Sequence, residues 1–181
     1  MIIVFTGPPF AGKDTQAKLL SEELKIPVFS MGAVIREAYE KKDPRAVEGF
    51  ENYSLKGLHV PINLKFGLLR SKIENLSDFM LDNFPATQED LDTFVEYLKE
   101  RNLSLTKVIY LKISEEEMKK RLIHRGRGDD DPQIVEKRRE NQDVDREPVI
   151  SYFRNAGLLV EIDGAKSIEE VHEEIKRSLN D

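Results

Sequence analysis

Residues 7–13, Gly7-Pro8-Pro9-Phe10-Ala11-Gly12-Lys13, follow the pattern G-x-x-x-x-G-K. They stand between a short apolar run, Ile2 to Thr6, and an amphipathic segment beginning near Lys13. A loop of this spacing between a strand and a helix points its backbone N–H groups inward and holds phosphate oxygens. The helix that follows adds its positive end, and the lysine supplies a charge that can follow a phosphoryl group in transit. The expected phosphate-binding set is therefore Gly7, Pro9, Phe10, Ala11, Gly12 and Lys13. The hydroxyl residue that usually follows the lysine is replaced by Asp14, and Thr15 comes one place later. Asp14 is expected either to face the water shell of a metal ion or to turn to solvent, where a first-turn acid suits the helix dipole.

The elements that must carry this loop fit one domain. The chain has 181 residues, the size of a single compact unit. It has no cysteine, which excludes a disulfide scaffold, a thiol nucleophile and a Cys-based zinc site. Its net charge of −6 argues against general affinity for nucleic acid or anionic membranes. No run approaches the length of a membrane-spanning helix. The opening MIIVF reads as a buried strand and not a secretory leader, so the expected location is the cytoplasm. The three histidines, His59, His124 and His172, share no ligand spacing; His172 is expected to be exposed.

Five short apolar runs, starting near Ile2, Pro27, Phe79, Lys107 and Leu158, alternate with helical patterns. That alternation predicts an α/β fold with a parallel sheet covered on both faces. The first helix is expected to bury Ala17, Leu20 and Leu24. Pro44 and Pro61 open helices, Ser114 with Glu117 and Ser167 with Glu170 form capping boxes, and Gly157 ends the long helix before the last strand. Ligands in such sheets bind at the carboxyl ends of the strands.

Beyond Lys13 the loop continues Asp14-Thr15-Gln16, and the whole stretch resembles the loop of the adenylate kinase family of nucleoside monophosphate kinases. The resemblance runs on in order through Ser30-Met31-Gly32-Ala33-Val34-Ile35-Arg36, Gly57-Leu58-His59-Val60-Pro61 and Leu81-Asp82-Asn83-Phe84-Pro85-Ala86-Thr87. It then covers the arginine-rich stretch from Arg121 through Arg125, Arg127, Asp129 and Asp130, the pair Lys137-Arg138, and the final strand-turn at Asp163-Gly164. The fold this implies is that of a P-loop NTPase: three α/β/α layers, a five-stranded parallel sheet, a helical insertion that binds the nucleoside monophosphate, and a short lid. The implied division is a core of 1–29, 61–123 and 139–181, an acceptor-binding region of 30–60, and a lid of 124–138.

The resemblance implies transfer of the γ-phosphoryl group of ATP to a nucleoside monophosphate, AMP first, with Mg²⁺ and without zinc. Convergent cations suit that chemistry, because several phosphates must be brought together. Lys13, Arg36, Arg125, Arg127 and Arg138 are the implied catalytic cations. Arg121 would lie near the donor adenine, the backbone at Lys166 would read its edge, and Asp129 and Asp130 would orient the lid. Asp82 and Thr15 would hold Mg²⁺ through water. Ser30, Met31, Arg36, Gly57, Val60, Asp82 and Phe84 would form the acceptor site, and Thr87, Gln88 and Asp90 could read a base edge. Arg139 is expected on the surface. The partners implied are small nucleotides, with no nucleic acid and no membrane, and the chain as a monomer.

The acceptor side departs from the family. Ala86 stands where an arginine grips the acceptor phosphate, Asn83 where a glycine lies close to the ligand, and Met31 where a threonine reads the base. Lys56, Arg70 and Lys72 are the nearby candidates to compensate. Readings as a CMP/UMP-type kinase, as a nucleotide-binding sensor or interaction module with weak or no turnover, or as a kinase of a small metabolite therefore stay open.

Overall fold

The computed structural model describes residues 1–125 and 132–180; the side chains of residues 123–138 and 141 are likewise outside the description. Arg127, Asp129 and Asp130, and the side chains of His124, Arg125, Lys137 and Arg138, thus lie outside the described residues. Along the chain come β1 (Ile2–Thr6), α1 (Lys13–Leu24), β2 (Val28–Ser30), α2 (Met31–Glu40), α3 (Pro44–Asn52) and a 3₁₀ turn (Ser54–Lys56). They are followed by α4 (Ile62–Ile73), β3 (Phe79–Asp82), α5 (Gln88–Glu100), β4 (Lys107–Lys112), α6 (Glu115–Arg125), α7 (Pro132–Asn155), β5 (Leu159–Asp163) and α8 (Ile168–Asn180).

The strands form one parallel sheet in the order β2-β3-β1-β4-β5, as the alternation of elements predicts. β1 is buried along its whole length, and its side chains feed both faces. Ile2 and Val4 join Leu69, Ile73, Phe94, Tyr97 and Phe153 from α4, α5 and α7. Ile3 and Phe5 join Ala17, Leu20, Val171 and Ile175 from α1 and α8. A strand buried on both sides needs an unbroken apolar run, which is what Ile2–Phe5 supplies. The chain moves to opposite sides of β1 for β3 and β4, so the switch point lies at the carboxyl end of β1, where the phosphate loop begins.

Local signals set the element ends. Asp43 caps α3 by accepting the Arg45 amide, with Pro44 in the first turn. Ser167 and Glu170 cap α8 reciprocally, each side chain accepting the other's amide. Gly157 follows α7 with φ +69°. Leu24 departs from expectation: it is 36% exposed, because α1 ends there and Lys25 takes a left-handed conformation. His172 also departs. Its ring is largely buried and sits between Gln16 and Glu23 at 3.2 and 3.0 Å, so it fastens α8 to α1. Glu37 ties α2 to α4 through Lys72 and also bonds Lys41; the two ammonium groups hold its carboxyl at about 2.

Candidate functional site

The phosphate loop is shaped by its neighbours. Gly7 has φ +142°, and a Cβ there would stand 2.3 Å from the carbonyl oxygen of Leu111 in β4. Only glycine lets the loop leave the sheet this close to the next strand. Gly12, with φ +92°, starts α1 and accepts the Gln16 amide at 3.0 Å. Lys13 Nζ donates to the carbonyl of Pro8 at 2.8 Å, which draws the ammonium across the loop. Arg121 braces the far side: its guanidinium donates to the carbonyls of Phe10 and Gly164, and its Nε to Glu117. Gly164 approaches so closely that an added Cβ would lie 2.8 Å from the Ala11 carbonyl oxygen. The turn that carries Lys166 is thereby held against the loop.

Asp14 is exposed and pairs with Lys18 at 3.0 Å. Thr15 is exposed in the first turn of α1. Asp82 is different. It ends β3 in register with Phe5 and Ser30 and is 6% exposed. Its Oδ1 has no hydrogen-bond partner. Burial pushes the Asp82 carboxyl up, against the pull of the Lys13 ammonium. An orphaned buried carboxylate oxygen near the phosphate loop suits a hard cation that keeps its water, as Mg²⁺ does. Among the described residues no three acidic or histidine side chains converge, so such an ion would take its other ligands from phosphates and water.

A raised carboxyl in the folded state favours folding while it is protonated, and that contribution is lost as pH rises through its folded pKa. Asp82→Asn should therefore unfold at higher denaturant than wild type without ligand, by about 1–3 kcal/mol at neutral pH. The advantage should shrink as pH falls toward 4. Paired urea titrations across pH check this. A variant less stable than wild type at pH 7 would contradict it.

A second cleft opens beside the loop, between α2, the 3₁₀ turn, α4 and the segment after β3. Met31, Ile35, Phe50, Leu58 and Val60 give it apolar walls, while Arg36, Asn83 and Ala86 also line it. Arg36 is exposed and folds along Gly32, 3.2 Å from where a Cβ would be. Asn83 holds φ +60°, a conformation asparagine tolerates, and donates its amide to Phe5. Gly57, at φ +71°, turns the chain into this wall. Phe84 lies in the core, packed on Phe66 and Phe94. Thr87 caps α5 by accepting the Asp90 amide, and Gln88 bonds Asp92 at the surface. Neither lines the cleft.

A second cation of this wall is one that spacing did not single out. Lys65 is 4% exposed and Asp90 1% exposed; Lys65 Nζ lies 2.9 Å from both carboxylate oxygens. The available signal was a lysine set among Leu64, Leu68 and Leu69, inside the buried face of α4. Lys56 is exposed, Arg70 faces Glu100 and Lys72 bonds Glu37, so none of the three anticipated cations lines the cleft. Arg139 is a further correction. Its side chain is partly buried between α6 and α7, within 3.7 Å of Glu115 and 3.8 Å of Asp143. Arg146, which spacing also missed, is buried beside it on Asp143 and Gln142, lining a hollow that reaches Pro8 of the phosphate loop.

The family model described as adenylate kinase matches residues 5–158. The chain is 33% identical over 184 residues to an adenylate kinase of Leptospira biflexa, covering 98% of each. It is 35% identical over 176 residues to one from Corynebacterium urealyticum, covering 96% of each. An adenylate kinase of Archaeoglobus fulgidus is 32% identical over 213 residues, with 99% of this chain and 98% of the relative covered. No helix among the described residues is long and apolar enough to cross a membrane.

Proposed function

This chain belongs to the adenylate kinase family, and from that we propose that it transfers the γ-phosphoryl group of ATP to AMP, yielding two molecules of ADP. Membership makes it an ATP-dependent phosphotransferase of the nucleoside monophosphate kinase type; the acceptor is our reading. The observation that carries it is the juxtaposition at the sheet's carboxyl edge. The Lys13 loop ends β1, the buried Asp82 ends the adjacent β3, and the Arg36-lined cleft opens from the residue after Asp82.

In the proposed reaction, loop amides and Lys13 hold the β- and γ-phosphates of the donor, with Arg121 and the Lys166 turn toward its base. Arg36 holds the acceptor phosphate in line. An oxygen of that phosphate forms a bond to the γ-phosphorus as the bond from phosphorus to the β,γ-bridging oxygen breaks, and ADP leaves with that electron pair. The acceptor oxygen is already anionic, so no general base is needed. Arg125, Arg127 and Arg138 would close over the transferring group, exclude water and spread its charge. Mg²⁺, held through water at Asp82 and Thr15, would supply charge neutralisation on the phosphates.

A coupled assay with ATP and each of AMP, CMP, UMP and GMP tests the reading. AMP should give the highest kcat/KM, and Arg36→Ala should lower it by roughly 10²–10³-fold with the ATP KM little changed. A higher kcat/KM with a pyrimidine nucleotide would replace AMP as acceptor. Tight ATP binding without turnover on any monophosphate would overturn the transfer itself.

A further inference from the structure

The lysine–aspartate pair in the acceptor cleft is unusual in its setting. Lys65 and Asp90 are both buried, one on α4 and one on α5. Asp90 Oδ2 accepts from Lys65 at 2.9 Å and from the Ala86 amide at 3.0 Å. Asp90 Oδ1 is also 2.9 Å from Lys65 Nζ and accepts no other hydrogen bond. Lys65 lines the cleft while Asp90 lies behind it, and its Nζ is 5.9 Å from the Phe84 ring centre. An ammonium has three N–H donors, and a single carboxylate at this distance engages at most two.

A buried ion pair is a poor source of stability, since an apolar pair of similar size does as well or better. Its position invites another explanation. The pair carries no net charge, so it offers little to a phosphate dianion, which would meet the Asp90 carboxylate beyond the ammonium. Arg36 is exposed and has no acidic partner among the described residues, so it is the cation fitted for phosphate. What a neutralised ammonium set among Ile35, Leu58 and Val60 does fit is a flat, uncharged ring that offers one lone pair.

We propose that Lys65, held in place by Asp90, selects the acceptor nucleotide by donating a hydrogen bond to a ring nitrogen or carbonyl oxygen of its base. Asp90 is the positioning residue: it fixes the ammonium and anchors the Ala86 backbone on the same oxygen. Only a base that puts a lone pair at this depth of the cleft gains the bond. This rests on the nucleoside monophosphate kinase reading and adds the group that chooses among monophosphates.

The test uses the whole chain and calorimetric titration with AMP, CMP, UMP and GMP separately, for wild type and for Lys65→Met with Asp90→Asn. Asparagine at 90 keeps an acceptor for the Ala86 amide and leaves no buried charge unpaired. ATP affinity serves as the check that the variant is folded. Wild type should bind its preferred monophosphate at least about ten-fold more tightly than the weakest. In the double variant that spread should collapse to within about three-fold, with ATP affinity held. Lys65→Arg, which keeps a donor, should retain a preference. A wild-type spread that survives unchanged in the double variant would overturn the role of Lys65 and leave the kinase reading standing. Binding of ATP but of no monophosphate to wild type would overturn both.

Discussion

Lys13→Met should lower turnover by roughly 10²–10³-fold, while the protein stays within about 1 kcal/mol of wild-type stability. The ammonium is placed by its bond to the Pro8 carbonyl across the loop. That contact holds a charge near the point where the β- and γ-phosphates would lie, and a charge preorganised there needs no rearrangement as the phosphoryl group moves. Methionine matches the length of the lysine stem and removes only the charge and its donors. The loop should survive, because its path is set by Gly7 against Leu111 and by the Arg121 bonds to Phe10 and Gly164. Steady-state kinetics with ATP and the preferred monophosphate, beside a urea titration, make the measurement. A variant that turns over within three-fold of wild type, a small loss on the scale of one missing charged donor, would show that the loop is not the transfer site.

Lys65→Met alone should destabilise the protein by about 3–5 kcal/mol, and adding Asp90→Asn should recover most of that. The loss comes from Asp90, not from the vanished bond. With the lysine gone, a carboxylate 1% exposed keeps the Ala86 amide but has no countercharge. Exposed pairs such as Lys18–Asp14 and Lys119–Glu115 should show nothing comparable, because water already solvates both partners. Urea midpoints of the single and double variants check this, and a single variant within 1 kcal/mol of wild type would mean that Asp90 finds water or a proton at little cost, below the range for a broken buried pair. Recovery in the double variant would also show that the pair is kept for something other than stability.

Much of the donor side was legible in the chain because its signals are local. Gly7 to Lys13 must be consecutive to fold around phosphate, and Gly157 and the Ser167–Glu170 box act within a few residues of themselves. Family resemblance extended this to Asp82 and Arg36, which sit at the strand end and helix where the motif order puts them. The acceptor side was harder to read. Ala86 marks a loss that any alignment of motifs exposes, but the nearest basic residues by sequence were the wrong ones. Arg70 and Lys72 occupy the outward side of α4, and their charges are taken by Glu100 and Glu37.

The amino-acid sequence by itself determined the parallel α/β architecture, the phosphate loop and the family, since apolar period, glycine placement and motif order are properties of neighbouring residues. Only the tertiary structure decided that Lys65 joins Arg36 in lining the cleft, that His172 ties α8 to α1, and that Asp82 is buried with an unpartnered oxygen. Each of those depends on which helix face meets which strand end across a separation of 25 residues or more, as for Lys65 and Asp90. A lysine written among leucines has an unpaired charge until the fold supplies its carboxylate.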